Sequence, residues 1–247
     1  MVKLLPLTVC IITNQFTAET DQVFKSLLPI AQQILVINTP GEKLTATDQR
    51  IEIISYPDQE INFSKWRNFA IKKATQQWML FVDHDEIISK QLLSELPSLI
   101  YQQKYDGYRI RRIDYFLGQP LKHGEVGQVY KLRLAKTHRY HFIGSVHEVG
   151  QVVGLTQTIN LPIYHYPHAS IASFLDKISF YSHLSANNTH QTFSLLKLLL
   201  FPIAKFFVNY IIKLGILDGF SGLVYALLMS IHSLSVRIFT YESSQNH

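Results

Sequence analysis

The stretch Trp78–Ile88, WMLFVDHDEII, decides the fold because its character changes in the middle. Its first five residues have the apolar composition of a short buried strand, whereas Asp83-His84-Asp85-Glu86 places three carboxylates within four positions. In open α/β sheets, ligands bind beyond the carboxyl ends of the strands. Asp83 and Asp85 are therefore the first candidates for site residues.

The sequence on either side of this stretch alternates short apolar runs with helical patterns. Strands are predicted at residues 7–13, 34–38, 51–55 and 78–82, and helices at residues 19–33, with an interruption near Pro29, at 62–75 and at about 89–103. This succession predicts an α/β fold with a mostly parallel sheet flanked by helices. Residues 107–166 are rich in strand patterns separated by glycines, and we interpret them as an extension of the same domain.

Composition and charge limit the kinds of partner. Hydrophobic residues make up 47% of the 247-residue chain and charged residues 17%, which is typical of a folded protein. The single cysteine, Cys10, excludes an intramolecular disulfide and favours a reducing compartment. Residues 104–141 hold nine basic and three acidic residues, which indicates an anionic partner or, alternatively, a solvated strand face. We expect no nucleic-acid partner, because no helix-turn-helix, zinc or aromatic RNA-binding motif accompanies the basic residues.

Beyond Thr192 the chain is dominated by Leu, Ile, Phe and Val. We predict two domains, an α/β domain over residues 1–190 and C-terminal hydrophobic or amphipathic helices over residues 191–247. Residues 219–236 are borderline for a spanning helix, which needs about 20 apolar residues. Apolar faces with lysines free to snorkel favour helices that lie on a membrane surface, and a buried helical hairpin or an oligomer interface are the alternatives.

Paired carboxylates at the end of a strand can bind a hard divalent cation, and that cation can hold a diphosphate. The alternative is that the cluster is surface charge that caps the next helix through Glu86. The segment FSKWRNFAIKKATQQWMLFVDHDEII (63–88) resembles the central motif of family 2 glycosyltransferases of the GT-A fold. The resemblance continues in DGYRIRRIDYFLGQPLKHG, YKLRLAK, GSVHE, IYHY and the Gly-Ile-Leu-Asp-Gly of residues 215–219, which together cover roughly residues 62–240.

The subgroup with these motifs is similar to the lipopolysaccharide-core β-glucosyltransferases. The resemblance implies a GT-A domain and an inverting, hexosyltransferase-type enzyme that uses Mn²⁺ or Mg²⁺. It would move a sugar from a nucleotide-diphosphate sugar to a cell-envelope glycan or a lipid-linked acceptor. Its C-terminal helices would hold it on the inner face of the cytoplasmic membrane.

The resemblance also implies roles for residues of the donor site. Asp83 would face the ribose or the metal, and Asp85 would bind the metal. Arg67 and Asn68 would lie near the donor. His165 is a candidate third metal ligand, although a histidine between two tyrosines is more often a packed, hydrogen-bonded residue.

On the acceptor side, the resemblance implies that Glu148 of the His147-Glu148 pair is the catalytic base that deprotonates the acceptor hydroxyl. Arg133 would contact phosphate or acceptor, or lie on a strand face. The sequence departs from the family after the second strand, where Asn38 stands in place of an aspartate expected to help recognise the donor. That departure leaves a second hypothesis open, a catalytically degenerate scaffold that binds a nucleotide sugar or a membrane partner.

Overall fold

The computed structural model describes residues 4–16, 18–39, 44–46, 48–58, 62–144, 148–167, 170–188 and 193–245. The chain divides into two compact units, one of residues 1–112 with 129–165 and one of residues 113–128 with 166–247. These units are defined by contacts within the chain, whereas the predicted boundary at residue 190 was drawn where the composition changes. That boundary stays a prediction.

The predicted α/β class is confirmed, and the N-terminal strands of the sheet are parallel. They are β1 (Leu5–Thr13), β2 (Ala31–Asn38), β3 (Ile51–Ser55) and β4 (Trp78–Phe81), which lie in the order β3-β2-β1-β4. The helices between and after them are α1 (Ala18–Leu27), α2 (Phe63–Lys73) and α3 (Lys90–Tyr101). Ser89 caps α3 by accepting a hydrogen bond from the Leu92 N–H, as the sequence predicts.

The predicted helix is interrupted near Pro29 as expected, but the prediction that residues 31–33 are helical is wrong, because α1 ends at Leu27 and β2 begins at Ala31. Pro29 lies in the turn between them, where its ring cannot continue a helix. Gln33, predicted at the helix end, is a β2 residue whose amide oxygen accepts a hydrogen bond from Thr8 at 2.7 Å. The strand β2 therefore begins before the hydrophobic run from which it is predicted.

The strands that follow add an antiparallel half to the sheet. They are β5 (Glu86–Ile88), β6 (Gly107–Phe116), β7 (Gln119–Pro120), β8 (Val129–Lys136) and β11 (Thr156–His165), and a separate hairpin is formed by β9 (Tyr140–Ile143) and β10 (Val149–Val152). The main sheet has the order β3-β2-β1-β4-β8-β6-β11-β5, with β7 paired to β6. Because β8 pairs antiparallel with β4, side chains of β8 reach the edge at which β4 ends.

Alternation along the strands gives this sheet a hydrophobic core on each face. Val9 and Ile11 of β1 pack in one core with residues of α1 and α3, whereas Cys10 packs in the other with Ala70 of α2. β1, β2 and β4 are buried on both faces, and this part of the sheet is therefore a rigid support for the side chains at its edge.

The second unit contains the C-terminal helices α4 (Ile171–Asn188), α5 (Leu195–Phe207) and α6 (Gly219–Gln245). A π-helical turn, Val208–Ile212, and a 3₁₀ turn, Gly215–Asp218, connect α5 to α6. Leu195–Ile212 and Gly215–Gln245 are long and apolar enough to cross a membrane, and only 11% and 22% of their most apolar stretches are buried within the chain. Most of this apolar surface is thus left uncovered by the described part of the protein.

Candidate active site

The carboxyl ends of the parallel strands meet at one edge of the sheet. Thr13, Asn38 and Ser55, the last residues of β1, β2 and β3, are paired in register. The N–H of Val82 donates to the carbonyl of Cys10 at 3.0 Å, so the chain leaves β4 at the same edge. Asp83 is the next residue, which is the placement that the sequence predicts for it.

Arg67 of α2 joins two predicted site residues that are far apart in the sequence. Its guanidinium Nη2 lies 3.0 Å from Oδ1 of Asp83 and 3.2 Å from Oε1 of Glu148. The side chain is buried, and its guanidinium lies over the rings of Phe81 and Phe142, 5.3 and 5.4 Å from their centroids. Aromatic faces stabilise a desolvated guanidinium, so the arginine is held firmly between the two carboxylates.

Arg133 of β8 holds the other side of Asp83 and is 4% exposed. Its Nη2 lies 2.7 Å from Oδ2 of Asp83 and also donates to Glu86, which is fully buried. The second oxygen of Glu86 accepts the N–H of Asp83 at 3.0 Å. Arg133 is thus an internal counter-ion, and its predicted contact with phosphate or acceptor stays a prediction.

The two arginines determine the charge state of Asp83. Burial raises the pKa of its carboxyl, but the charges of Arg133 and Arg67 outweigh burial and hold that pKa well below its usual range. Lys131, also on β8, has a lowered pKa because of burial and the neighbouring Arg133. Asp83 is therefore an anion held between two cations.

Asp85 has a different environment from Asp83. The pairing of β5 with β11 sets Glu86 opposite His165, and Nε2 of His165 lies 3.5 Å from Oδ2 of Asp85. Burial raises the pKa of Asp85, but the hydrogen bond and charge of His165 bring it below its usual value. The structure thus brings together two of the three predicted metal ligands.

Each oxygen of Asp83 accepts a hydrogen bond from an arginine, and its predicted role as a metal ligand stays a prediction. Within the described ranges, no group of three or more His, Cys, Asp or Glu side chains is arranged to hold a metal ion. Asp85 and His165 nevertheless fit a site with two protein ligands. Divalent ions at diphosphate sites are often held by one or two carboxylates, with water and phosphate oxygens completing the shell.

Asn68, predicted to lie near the donor, uses its amide to join α2 to β9. Its Nδ2 donates to the carbonyl of Phe142 at 2.8 Å, and its Oδ1 accepts the N–H of Phe142 at 2.9 Å. Donor contacts of Asn68 and Asn38 stay predictions. His147 lies outside the described residues.

Sequence reasoning missed Glu86, Phe81 and Phe142 as parts of the site. Glu86 was weighed only as surface charge, yet it is fully buried, and it is Ser89 that caps α3. For Phe81 a signal was available, because it lies in β4, the strand that leads into the carboxylates. Phe142 carries no such signal, because its contact with Arg67 depends on long-range packing.

Much of the predicted basic segment is compensated within the chain. Lys136 and Arg139 pair with Asp106 at 2.9 and 3.2 Å, and Arg111 donates to Asn160 at 3.0 Å. Arg133 is buried and pairs with Asp83 and Glu86, two acids outside the segment. The segment is therefore not one continuous surface for an anionic partner.

Comparison with known proteins gives a family for the chain. The family model described as "Glycosyl transferase family 2" matches residues 5–147. An uncharacterized glycosyltransferase of Rickettsia typhi is 21% identical over 89% of this chain and 81% of its own length. The lipopolysaccharide core biosynthesis glycosyltransferase LpsC of Rhizobium meliloti is 27% identical over 60% of this chain and 58% of its own length.

Solved structures give weaker similarities. A crystal structure of S. aureus TarS, residues 1–349, aligns with a TM-score of 0.47 and 14% identity, over 98% of this chain and 92% of that one. A crystal structure of the same fragment in complex with UDP-GlcNAc aligns with a TM-score of 0.46 and 11% identity, over the same shares of the two chains.

Proposed function

The chain belongs to glycosyl transferase family 2, and on this premise we propose that it is an inverting, metal-dependent hexosyltransferase. The donor would be a nucleotide-diphosphate sugar, and the acceptor a glycan or lipid-linked glycan of the cell envelope. The similarity to LpsC supports an acceptor of the lipopolysaccharide-core type. The observation that carries the proposal is the bridge of Arg67 between Asp83 and Glu148, which gathers the expected donor and acceptor residues at one strand edge.

The proposed reaction is a single displacement at the anomeric carbon. Glu148 takes the proton of the acceptor hydroxyl as that oxygen forms the new glycosidic bond. The bond from the anomeric carbon to the diphosphate breaks, and its electron pair leaves with the diphosphate. Attack from the face opposite the leaving group inverts the anomeric configuration.

The ion pair with Arg67 supports the role of Glu148, because it fixes the carboxylate at the strand edge. Arg133 and Glu86 have a positioning role, since they hold Asp83 and with it the turn that presents Asp85. Asp85 and His165 would hold the divalent ion, which when bound neutralises charge on the departing diphosphate.

The exposed apolar faces of α5 and α6 support attachment to the inner face of the cytoplasmic membrane. Helices with long apolar faces and snorkelling lysines lie in the headgroup region of a bilayer. The buried, unpaired Cys10 agrees with the reducing cytoplasmic side. Co-sedimentation with phosphatidylcholine vesicles tests the attachment, and a protein that stays wholly in the supernatant contradicts it.

The donor and the reaction are tested with the full chain. A panel of nucleotide sugars, each with Mn²⁺ or Mg²⁺, is first scored by thermal shift, and the responding donor is then used in a hydrolysis assay. We expect Asp85→Asn and Glu148→Gln each to lower metal-dependent turnover by about 10²–10⁴-fold. Glu95→Gln, an exposed acid of α3, is the matched control and should retain the wild-type rate.

The second candidate is a scaffold that binds a nucleotide sugar without turning it over, and Asn38 in the place of an aspartate favours it. A scaffold would show a thermal shift with a nucleotide sugar but no metal-dependent hydrolysis in wild type. Equal turnover in wild type and Asp85→Asn would contradict the metal role. A rate retained by Glu148→Gln would contradict the proposed base.

A further inference from the structure

A cavity of about 370 Å³ lies in the second compact unit, beside the loop Lys122–Gln128. Lys122 and His123 line it from the loop, and Lys213 lines it from the turn that follows α5. The cavity shares no lining residue with the candidate active site. The chemistry of its own lining residues therefore indicates what the cavity can bind.

Asp218 builds this cavity by anchoring the loop. Its carboxylate accepts the N–H of Lys122 at 3.1 Å and the N–H of His123 at 2.8 Å. It also lies 2.8 Å from Nδ1 of His123 and is itself almost fully buried. The imidazole is thereby fixed, and Nε2 has no hydrogen-bond partner among the described residues.

The glycines around Asp218 and in the loop are required by close packing. A Cβ on Gly222 would lie 1.9 Å from the carbonyl oxygen of Gly215. A Cβ on Gly127 would lie 2.3 Å from the carbonyl oxygen of Lys122. Within the Gly-Ile-Leu-Asp-Gly motif, a Cβ on Gly215 would lie 2.7 Å from the carbonyl oxygen of Asn209, so the backbone beside Asp218 also packs too closely for a side chain.

The cavity carries positive charge without an internal counter-ion. Glu125, the acid that lines it, is paired with Lys205 at 2.8 Å. In the described part of the chain, neither Lys122 nor Lys213 forms an ion pair, and both side chains are exposed. Two ammonium groups that form no ion pair there, beside a fixed imidazole, suit a compact anion such as a phosphate.

Apolar side chains lie next to Lys213 in the wall of the cavity formed by the turn after α5. Ile212 and Leu214 line the cavity and are 72% and 50% exposed, and Leu217 and Phe220 close by in sequence are also exposed. A soluble phosphate would make no contact with such an apolar rim. An anionic lipid would, because the glycerol that carries its phosphate also carries acyl chains.

We propose that this cavity binds the phosphate group of an anionic membrane lipid, with the acyl chains packed against the apolar rim. The proposal rests on the membrane attachment proposed above. It assigns to Lys122, His123 and Lys213 the recognition of one headgroup, in addition to the general attraction that any basic surface has for an anionic bilayer.

The test measures binding of monomeric short-chain lipids to the full chain by calorimetry. We expect dihexanoyl phosphatidic acid to bind and dihexanoyl phosphatidylcholine not to bind. Glycerol 3-phosphate, which has the phosphate without the acyl chains, should bind at least tenfold more weakly than the phosphatidic acid. Each lysine near an anionic lipid is worth roughly fivefold in affinity, so Lys122→Ala with Lys213→Ala should weaken binding roughly 25-fold.

Two control variants distinguish binding in this cavity from the general attraction of surface lysines for an anionic lipid. Lys197→Ala removes an equally exposed lysine of α5 and should leave phosphatidic acid affinity within twofold of wild type. Lys213→Arg keeps the charge and should retain binding. Equal losses in Lys213→Ala and Lys197→Ala would overturn the proposal, and so would glycerol 3-phosphate that binds as tightly as the lipid.

Because these lipids are monomeric, the outcome is independent of attachment to a bilayer. Vesicle co-sedimentation without phosphatidic acid binding would refute the site and leave the membrane attachment standing. Phosphatidic acid binding without any co-sedimentation would refute the attachment instead.

Discussion

Replacing Arg133 by methionine tests the charge network beneath the candidate active site. Asp83 would keep Arg67 as a partner, but fully buried Glu86 would keep only the N–H of Asp83. Leaving one partner of a buried ion pair without its counter-charge costs about 3–5 kcal/mol. A domain of this kind has a free energy of unfolding of about 5–15 kcal/mol, so the loss is a large part of the total.

The two tryptophans of the chain make the measurement specific. Trp66 and Trp78 both lie in the first compact unit and are buried, so their fluorescence reports unfolding of the unit that contains Arg133. With a urea m-value of about 2 kcal/mol per M, a loss of about 4 kcal/mol lowers the unfolding midpoint by about 2 M. Arg109→Met, on the exposed face of β6, is the matched control and should change stability by less than about 0.5 kcal/mol.

A second substitution separates charge from packing. Glu86→Gln added to Arg133→Met removes the uncompensated anion, while the amide oxygen can still accept the N–H of Asp83. We expect the double variant to regain about 2 kcal/mol over Arg133→Met. The reasoning is refuted if Arg133→Met and Arg109→Met unfold at the same urea concentration, or if the double variant is no more stable than Arg133→Met.

Three further substitutions test the environments of individual side chains. Asn68→Ala breaks both hydrogen bonds to Phe142 and should cost about 1–3 kcal/mol in urea unfolding, whereas a loss under about 0.5 kcal/mol would contradict this bridging role. Asp106→Asn should cost about 1 kcal/mol at pH 7, whereas Glu95→Gln should cost nothing measurable. Because the pKa of Asp106 is lowered in the folded chain by the hydrogen bond from a lysine, its contribution is present above about pH 4 and lost as the pH falls. Curves of stability against pH for wild type and Asp106→Asn should therefore converge at low pH, and a gap that persists there would contradict the assignment. Asp85→Asn should leave the free energy of unfolding in urea within about 0.5 kcal/mol of wild type but abolish the thermal shift caused by Mn²⁺, and an unchanged Mn²⁺ shift would count against Asp85 as a ligand.

β1, β2 and β4 could be predicted from the sequence because burial on both faces leaves apolar runs. The stretches 51–55 and 78–82 differ from β3 and β4 by at most one residue. β5 could not be predicted, because a three-residue segment that begins with the last carboxylate of the cluster acquires strand geometry only through pairing with β11, more than seventy positions later. Local patterns carry no information on such a partner.

The site could be predicted in part for the same reason. The position of Asp83 follows from the strand that precedes it, and the resemblance supplied Arg67 and Glu148 as its neighbours. The role of Arg133 depends on β8 lying beside β4, which no pattern within YKLRLAK specifies. Arginine is mostly exposed in proteins, so the buried position of Arg133 could not be expected before the neighbouring strand was known.

The spacing of Asp83 and Asp85 suggests one chelating pair, but the backbone between them separates their tasks. Glu86 N–H donates to the carbonyl of Asp83 at 3.0 Å, so the chain makes a turn there and does not continue as a strand. Residues two apart share a face only while the chain stays extended. The turn lets Asp83 pair with two buried arginines, while Asp85 pairs with His165. The two aspartates therefore have different partners, although they are only two positions apart.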